Sequence, residues 1–96
     1  MKRYIRASAD RTTIKVHCIN HSLGKFTFKD DVGNIYVYDR GAFPSSRFAN
    51  DLWGVIYDAQ GNFYSGAVIT ITTRLTPHCG RNNFFYLVSP RIISVG

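Results

Sequence analysis

The chain has 96 residues, 45% hydrophobic and 15% aromatic, which suffices for one small core and predicts a single domain over residues 1–96. Twelve Lys and Arg residues stand against six acidic residues, all Asp, so the formal net charge is +6. Without glutamate or defensible carboxylate pairs, acid–base catalysis is disfavoured and no enzyme is expected. No stretch has the apolar length of a membrane span or of a signal peptide, which favours a cytoplasmic protein without a membrane partner.

The excess of positive charge is the first indication of a partner. Basic residues are spread along the chain, whereas several Asp residues fall in turn-like segments such as DDVGN, YDRG and DAQGN, where local backbone geometry favours Asp. This balance favours an anionic partner such as nucleic acid. A basic protein with no such partner is the alternative that charge alone leaves open.

The first predicted strand is TTIKVHCIN, residues 12–20. Its apolar side chains alternate with Lys15 and His17, which predicts a half-buried strand with these two residues on the outer side. The polar residues 1–11 before it are expected to be loosely held, and NHSLGK after it is expected to form a loop.

A hairpin is predicted for KFTFKDDVGNIYVY, residues 25–38. With a four-residue loop at Asp30–Gly33, the two phenylalanines oppose Ile35 and Val37, and these four side chains form an apolar face. The opposite face then collects the polar and phenolic side chains: Lys25, Thr27, Lys29, Asn34, Tyr36 and Tyr38.

A three-residue loop with a bulge is the alternative register for this hairpin. It would place the phenylalanines beside Tyr36 and Tyr38 and would turn Ile35 and Val37 outward among the lysines. Because the four-residue loop separates polar from apolar side chains better, we expect Tyr36 and Tyr38 to be exposed beside Lys25 and Lys29.

The strand pattern stops at GAFPSSRFANDLWG, residues 41–54. A Pro-Ser-Ser start, helical spacing of Phe48, Leu52 and Trp53, and a stop at Gly54 predict one short helix. The segment VIYDAQGNFYSG is either another hairpin or an irregular connection. Strands follow at AVITITTRL and at FFYLVSPRIISV, which Pro90 should bend or interrupt.

These elements predict an all-β fold: a small five-stranded OB-like Greek-key barrel with one short helix between strands 3 and 4. An SH3-like barrel is the main competitor, but it lacks a helix at that place, and a sandwich of this length is less favoured. KFTFKDDVGNIYVY resembles the second-and-third-strand hairpin of OB-fold nucleic-acid-binding domains, and TITTRLTP with FFYLVSPRIISVG resembles their last two strands. The resemblance covers residues 13–96.

The resemblance implies that the hairpin face and two loops contact nucleic acid. The loops are Asn20–Gly24 and Thr76–Asn83, and Arg74 and Arg81 lie at the margins of the second. Exposed tyrosines would stack bases for roughly 1–3 kcal/mol each, while nearby cations neutralise phosphates. The alternative is that the tyrosines only cover the surface. The complete predicted set is Lys15, His17, Lys25, Thr27, Lys29, Tyr36, Tyr38, Arg74 and Arg81.

Metal and cofactor chemistry is not expected. His17, Cys18 and His21, with His78 and Cys79, have the residue types of a zinc site, but no Cys-x-x-Cys occurs and strand alternation sends His17 and Cys18 to opposite faces. A disulfide between the two cysteines is not favoured in a cytosolic chain. No metal, no cofactor and no catalytic residue is therefore predicted.

The predicted function is non-catalytic binding of single-stranded DNA or RNA with weak sequence preference. The alternative belongs to another class: a small protein-binding module, similar in size to phage-encoded inhibitors of the anti-CRISPR type, whose partner would be a host protein or nucleoprotein complex. Exposed strand edges would serve such binding by strand addition, or would support a homodimer.

Overall fold

The computed structural model describes residues 8–96, which form five strands and one helix. The prediction of a mostly β chain with a short helix between the third and fourth strands is confirmed. The elements in chain order are β1 Thr12–Ser22, β2 Lys25–Lys29, β3 Ile35–Asp39, α1 Ser46–Ile56, β4 Ile69–Pro77 and β5 Phe84–Val95.

The strands form one mixed sheet in the order β1-β2-β3-β5-β4. Four of the pairings are antiparallel, whereas β3 and β5 run parallel. Because β4 pairs with β1 as well as with β5, the sheet closes on itself and every strand has two neighbours. The inward side chains of all five strands therefore share one core.

The expectation that residues 1–11 are loosely held falls partly on residues 1–7, which lie outside the described residues. Ser8 and Arg11 donate hydrogen bonds to backbone carbonyls of β4 and β5, the shortest from the Arg11 guanidinium to the Ser89 carbonyl at 2.7 Å. These bonds connect the start of the described chain to the sheet. No helix within the described range has the length and apolarity that a membrane crossing requires.

The predicted register of the β2–β3 hairpin is wrong. Phe28 lies opposite Tyr36 and Phe26 lies opposite Tyr38, because the loop comprises the five residues 30–34. An odd loop length puts the phenylalanines and the tyrosines on the same face. That face is the core: Tyr36 is 5% exposed and Tyr38 is 0% exposed.

The loop takes five residues because Asp30 organises it. One carboxylate oxygen accepts the backbone N–H groups of Val32 and Asn34 at 3.1 and 2.8 Å, and the other accepts the Asn34 side-chain amide at 2.9 Å. Gly33 supplies the positive φ that this turn needs. The strands can therefore start to pair only after Asn34.

Both buried tyrosines have hydrogen-bond acceptors for their hydroxyl groups. The Tyr36 hydroxyl donates to the Asp30 carboxylate at 3.0 Å, and the Tyr38 hydroxyl donates to the Ser45 carbonyl at 3.2 Å. Burial, together with the Asp30 carboxylate, raises the pKa of Tyr36 to about 12. Because each hydroxyl is satisfied, burial of the phenol rings costs little.

Helix α1 closes one end of the core, and it is longer than predicted. It continues through Gly54 to Ile56, whose burial adds to the apolar stripe of Phe48, Ala49 and Leu52. The predicted helix stop at Gly54 is therefore wrong. Trp53 lies off this stripe and is 53% exposed, although the helical spacing groups it with Phe48 and Leu52.

The connection after α1 contains a second copy of the five-residue turn. Asp58–Asn62 repeats the Asp-x-x-Gly-Asn pattern of the β2–β3 loop, and the Asp58 carboxylate accepts the backbone N–H groups of Gln60 and Asn62, each at 2.9 Å. It joins an isolated antiparallel bridge between Tyr57 and Phe63. The segment is therefore a minimal hairpin followed by irregular chain up to β4.

The turn between β1 and β2 contains a strained leucine that yields a stability prediction. Leu23 and Gly24 both have positive φ, 53° and 77°, and Leu23 is 97% exposed. Left-handed backbone costs a leucine roughly 1–2 kcal/mol, whereas Asn-Gly is the preferred pair for such a two-residue turn. We expect Leu23→Asn to raise the free energy of unfolding by about 1 kcal/mol and Tm by about 4–8 °C.

A thermal melt followed by circular dichroism measures this effect. Leu23→Ala is the matched control, since it removes the exposed apolar side chain but keeps a residue with the same backbone preference, and Tm should then change little. A Tm for Leu23→Asn at or below that of the wild type would contradict the assignment of strain to this turn.

Candidate nucleic-acid interface

A row of side chains crosses four strands on the outer side of the sheet. His17 on β1 lies opposite Lys29 on β2, Lys29 lies opposite Ile35 on β3, and Ile35 lies beside Phe84 on β5. Neighbours in register share a face of the sheet, so these four side chains point outward together. A second row contains Thr27, Val37 and Tyr86, and Lys25 follows on β2. We call this surface the outer face.

Aromatic rings gather at the β5 side of the outer face. The His78 ring lies edge-on to Phe84 at 5.0 Å and roughly parallel to Tyr86 at 5.9 Å between ring centroids. The Arg81 guanidinium carbon lies 4.6 Å from the centre of the Phe84 ring, a cation–π contact. We call His78, Phe84 and Tyr86 the outer aromatic cluster.

The backbone positions this cluster. The His78 N–H donates to the Phe84 carbonyl at 2.9 Å, which holds the base of the β4–β5 loop closed. Phe85, between the two outer rings, points inward and stacks against Tyr36 at 5.6 Å. Phe84 and Tyr86 are consequently fixed on the outside of the sheet, where both remain half-buried.

Most of the predicted cations lie on or beside the outer face. Lys25 and Lys29 are exposed on β2, and Thr27 lies between them. His17 is half-buried at the edge of the same surface, and Lys15 is exposed two residues earlier on β1. Arg81, in the β4–β5 loop, reaches the other side of the surface through its contact with Phe84.

Three predicted residues are not part of this surface. The proposed stacking role of Tyr36 and Tyr38 is wrong, because their rings are inside the core and present no face to a base. Arg74 lies on β4, which is not a neighbour of β2 or β3, and its guanidinium donates to the Ser8 carbonyl at 2.7 Å. The two tyrosines face the core because the β2–β3 loop has an odd number of residues.

The residues missed from the sequence are the members of the outer aromatic cluster. Phe84, Phe85 and Tyr86 are consecutive in a strand, so alternation cannot place all three rings on one side. Either Phe84 and Tyr86 face outward, or Phe85 alone does. Only the pairing of β5 with β3 shows which of the two arrangements is present. His78 lies in the second predicted loop, but it is not among the individually predicted binding residues.

The outer face carries more positive than negative charge, since Lys25, Lys29 and Arg81 outnumber Asp39, which lies opposite Lys25. Among residues 8–96 the structure contains one ion pair, Arg47–Asp51 at 4.0 Å on the exposed side of α1. The prediction that Asp residues serve turns is confirmed, since Asp30, Asp39 and Asp58 all accept backbone N–H groups in turns. Within that part of the chain the side chains of Lys25 and Lys29 consequently have no carboxylate within ion-pair distance.

The hydrogen bonds around Asp30 also fix its charge. Burial alone would raise the pKa of this carboxyl group, but the hydrogen bonds from Asn34, Tyr36 and Val32 outweigh it and lower the pKa below its ordinary value. Asp30 is therefore ionised at neutral pH and serves the β2–β3 loop. Its carboxylate lies in the β2–β3 loop and accepts four hydrogen bonds there.

Neither cysteine is part of a cross-link or a metal site in the described residues. Cys18 is buried, and burial raises the pKa of its thiol to about 11, while Cys79 is exposed in the β4–β5 loop. As alternation predicted, Cys18 faces the core and His17 faces outward. Within residues 8–96 no three His, Cys, Asp or Glu side chains gather in a way that could hold a metal ion.

Comparison with protein-family models, with curated proteins and with solved structures finds no match to this chain. No activity or partner is therefore transferred from a relative. What the outer face binds has to be inferred from its own side chains.

Proposed function

We propose that the protein is a cytoplasmic, non-catalytic domain that binds single-stranded DNA or RNA on its outer face, and that its fold is an OB-like Greek-key barrel. The strand order β1-β2-β3-β5-β4, the parallel β3–β5 pair and the helix between β3 and β4 support this fold. In OB-folds the surface around the second and third strands, with the adjacent loops, takes oligonucleotides.

The single observation that carries the proposal is the row that joins Lys29 to Phe84 beneath the Arg81 guanidinium. It places a half-exposed aromatic ring, a planar cation and an unpaired ammonium group within one surface. Bases stack on aromatic rings and on guanidinium planes, and ammonium groups neutralise phosphates. A single strand offers both kinds of group at once.

The side chains divide into two roles. The Arg81 guanidinium, held over the Phe84 ring, provides a flat platform for a base, at roughly 1–3 kcal/mol of stacking free energy. Lys25 and Lys29 bind successive phosphates, and the Thr27 hydroxyl between them donates to the backbone of the strand. Because these contacts read charge and ring faces, we expect little sequence preference.

Fluorescence anisotropy with labelled 12-nucleotide oligo(dT) and oligo(U) at low salt tests the proposal. We expect both to bind, and Phe84→Ala to weaken binding by about 5- to 150-fold, since one stacked base is lost. Ile93→Ala is the matched control: it removes an apolar side chain that is 57% exposed on the same strand, away from the outer face, and should leave the affinity unchanged.

Two results would contradict the proposal. One is wild-type protein that binds neither oligonucleotide at low salt. The other is a folded Phe84→Ala variant with wild-type affinity. A difference between oligo(dT) and oligo(U) would decide whether DNA or RNA is preferred.

Protein binding is the second candidate, and the second half of β5 favours it. After Tyr86 this strand pairs with β4 alone, so one backbone edge has no strand beside it, and Ile93 and Val95 expose apolar surface on this part of β5. A peptide could add to this edge as a further strand. Wild-type protein that ignores oligonucleotides, together with an Ile93-dependent complex isolated from cells, would favour this alternative.

A further inference from the structure

A second group of aromatic rings lies at the end of the sheet where β1 and β2 meet. Trp53 near the end of α1 packs against Tyr57 with ring centroids 4.7 Å apart, and its edge contacts His21 of β1 at 5.2 Å. Phe63 contacts Tyr57 at 5.7 Å. We call His21, Trp53, Tyr57 and Phe63 the end patch.

The Trp53 side chain is held by neighbouring rings but is not part of the core. The His21 ring stacks on buried Phe26 at 3.9 Å and 5°, and its Nδ1 forms a hydrogen bond with the Tyr57 hydroxyl at 2.8 Å. These two rings therefore anchor the indole to the core. The indole itself remains 53% exposed, while Leu52 and Ile56 fill the core beside it. A fixed, half-exposed indole is a preorganised stacking surface.

Positive charge leads from the outer face to the end patch. Lys25 lies opposite Ser22 at the end of β1, and the Arg40 N–H donates to the Gly24 carbonyl of the adjacent turn at 3.0 Å. Burial, assisted by the positive charge of Arg40, lowers the pKa of His21 in the end patch.

The nearby carboxylates on α1 and after it are engaged elsewhere. Asp51 is paired with Arg47, and Asp58 accepts the hydrogen bonds of its own turn. Asp39 lies opposite Lys25 on this path, and its carboxylate accepts the N–H groups of Gly41 and Ala42. The three cations Lys29, Lys25 and Arg40 outnumber it, so the net charge that a ligand meets on the way is positive. A polyanion with flat apolar groups complements this combination better than an apolar peptide does.

We infer that Trp53 stacks a base of the same single strand, which runs from the outer aromatic cluster past Lys29, Lys25 and Arg40 to the end patch. This inference rests on the proposed function. The path follows β3 from Ile35 to Asp39, about 14 Å at 3.4 Å per residue, and then turns over the end of the sheet. Such a length fits the roughly 4–16 nucleotides that one OB-fold binds.

Trp53 is the only tryptophan of the chain, so its fluorescence reports this contact directly. We expect 12-nucleotide oligo(dT) to quench the fluorescence, and a dinucleotide to leave it unchanged because it cannot span both sites. In anisotropy measurements Trp53→Ala should weaken binding of the 12-mer by about 5- to 150-fold. Trp53→Phe keeps an aromatic ring, so its affinity for the 12-mer should fall less than that of Trp53→Ala.

Tyr64→Ala is the matched control, because this ring is 57% exposed nearby but makes no contact with Trp53 among the described ring pairs. It should leave the affinity for the 12-mer unchanged. Circular dichroism of each variant checks that the fold is retained.

The outcomes separate this inference from the proposed function. Binding of the 12-mer that depends on Phe84 but neither quenches nor depends on Trp53 overturns the inference and leaves the proposed function standing. No binding at low salt overturns both. Quenching that persists in Phe84→Ala supports the end patch and moves the principal site away from the outer aromatic cluster.

Discussion

Tyr38→Ala is expected to lower the free energy of unfolding by about 3–5 kcal/mol, the range for removing a large buried aromatic side chain. Tyr38 has no exposed surface, and its ring contacts Phe48 at 4.9 Å and Phe26 at 6.0 Å. Small domains are stable by only about 5–15 kcal/mol in total. The variant should therefore be partly or wholly unfolded at 37 °C, as measured by urea unfolding followed by circular dichroism.

Tyr38→Phe is the matched control for this substitution. It keeps the ring and removes only the hydroxyl that donates to the Ser45 carbonyl at 3.2 Å, so a loss of about 0.5–1.5 kcal/mol is expected. Wild-type stability of Tyr38→Ala would mean that the ring is outside the core. The hairpin would then have the register with a four-residue loop after all.

Oligonucleotide affinity is expected to fall about 50-fold between 50 and 200 mM salt. Four cations lie on or beside the outer face: Lys15, Lys25, Lys29 and Arg81. Each phosphate contact to a single strand contributes about 0.7 to the slope of log affinity against log salt, which gives a slope of about −3. Anisotropy titrations at four or five salt concentrations measure it.

Replacing Lys25 and Lys29 together by glutamine should reduce the magnitude of this slope by about 1.4. Arg47→Gln is the matched control: its side chain is 95% exposed on α1, and its removal lowers the net charge without touching the outer face. An equal effect of Arg47→Gln would mean that net charge, and no particular surface, attracts the oligonucleotide.

The order of the elements could be predicted because it depends on local patterns. Alternation in TTIKVHCIN placed β1, and the β-branched and aromatic runs placed β4 and β5. The extension of α1 beyond Gly54 could not be predicted in the same way. It depends on the core space that Ile56 fills, which only the assembled sheet defines.

The hairpin register failed for a non-local reason. The prediction assumed that Ile35 and Val37 would be left in water if they faced outward, but β5 lies beside β3 and Val37 is only 6% exposed. It also treated tyrosine as a surface residue, although Asp30 and Ser45 satisfy both hydroxyl groups. The separation of polar from apolar side chains within the hairpin alone favours a four-residue loop, because it leaves out the contact of β3 with β5.

One local signal could have corrected this error. The pattern Asp-x-x-Gly-Asn occurs twice, at residues 30–34 and 58–62, and both copies form the same turn with the Asn as its fifth residue. A repeated pattern of this kind indicates that both segments share one backbone conformation, and in both the Asp carboxylate accepts the N–H of the fifth residue. The position of the outer aromatic cluster would have followed only from the parallel pairing with β5.

The closure of the sheet through β1 and β4 has a kinetic consequence. The β1–β2–β3 segment can form from neighbours in the chain, whereas the contact of Arg11 with Thr72 joins residues 61 positions apart. The parallel partner of β3 is β5, which follows α1 and β4 in the chain. Refolding should therefore be slow for a chain of this size, in milliseconds to seconds, because the β1–β2–β3 segment is completed only when β4 and β5 pair with it.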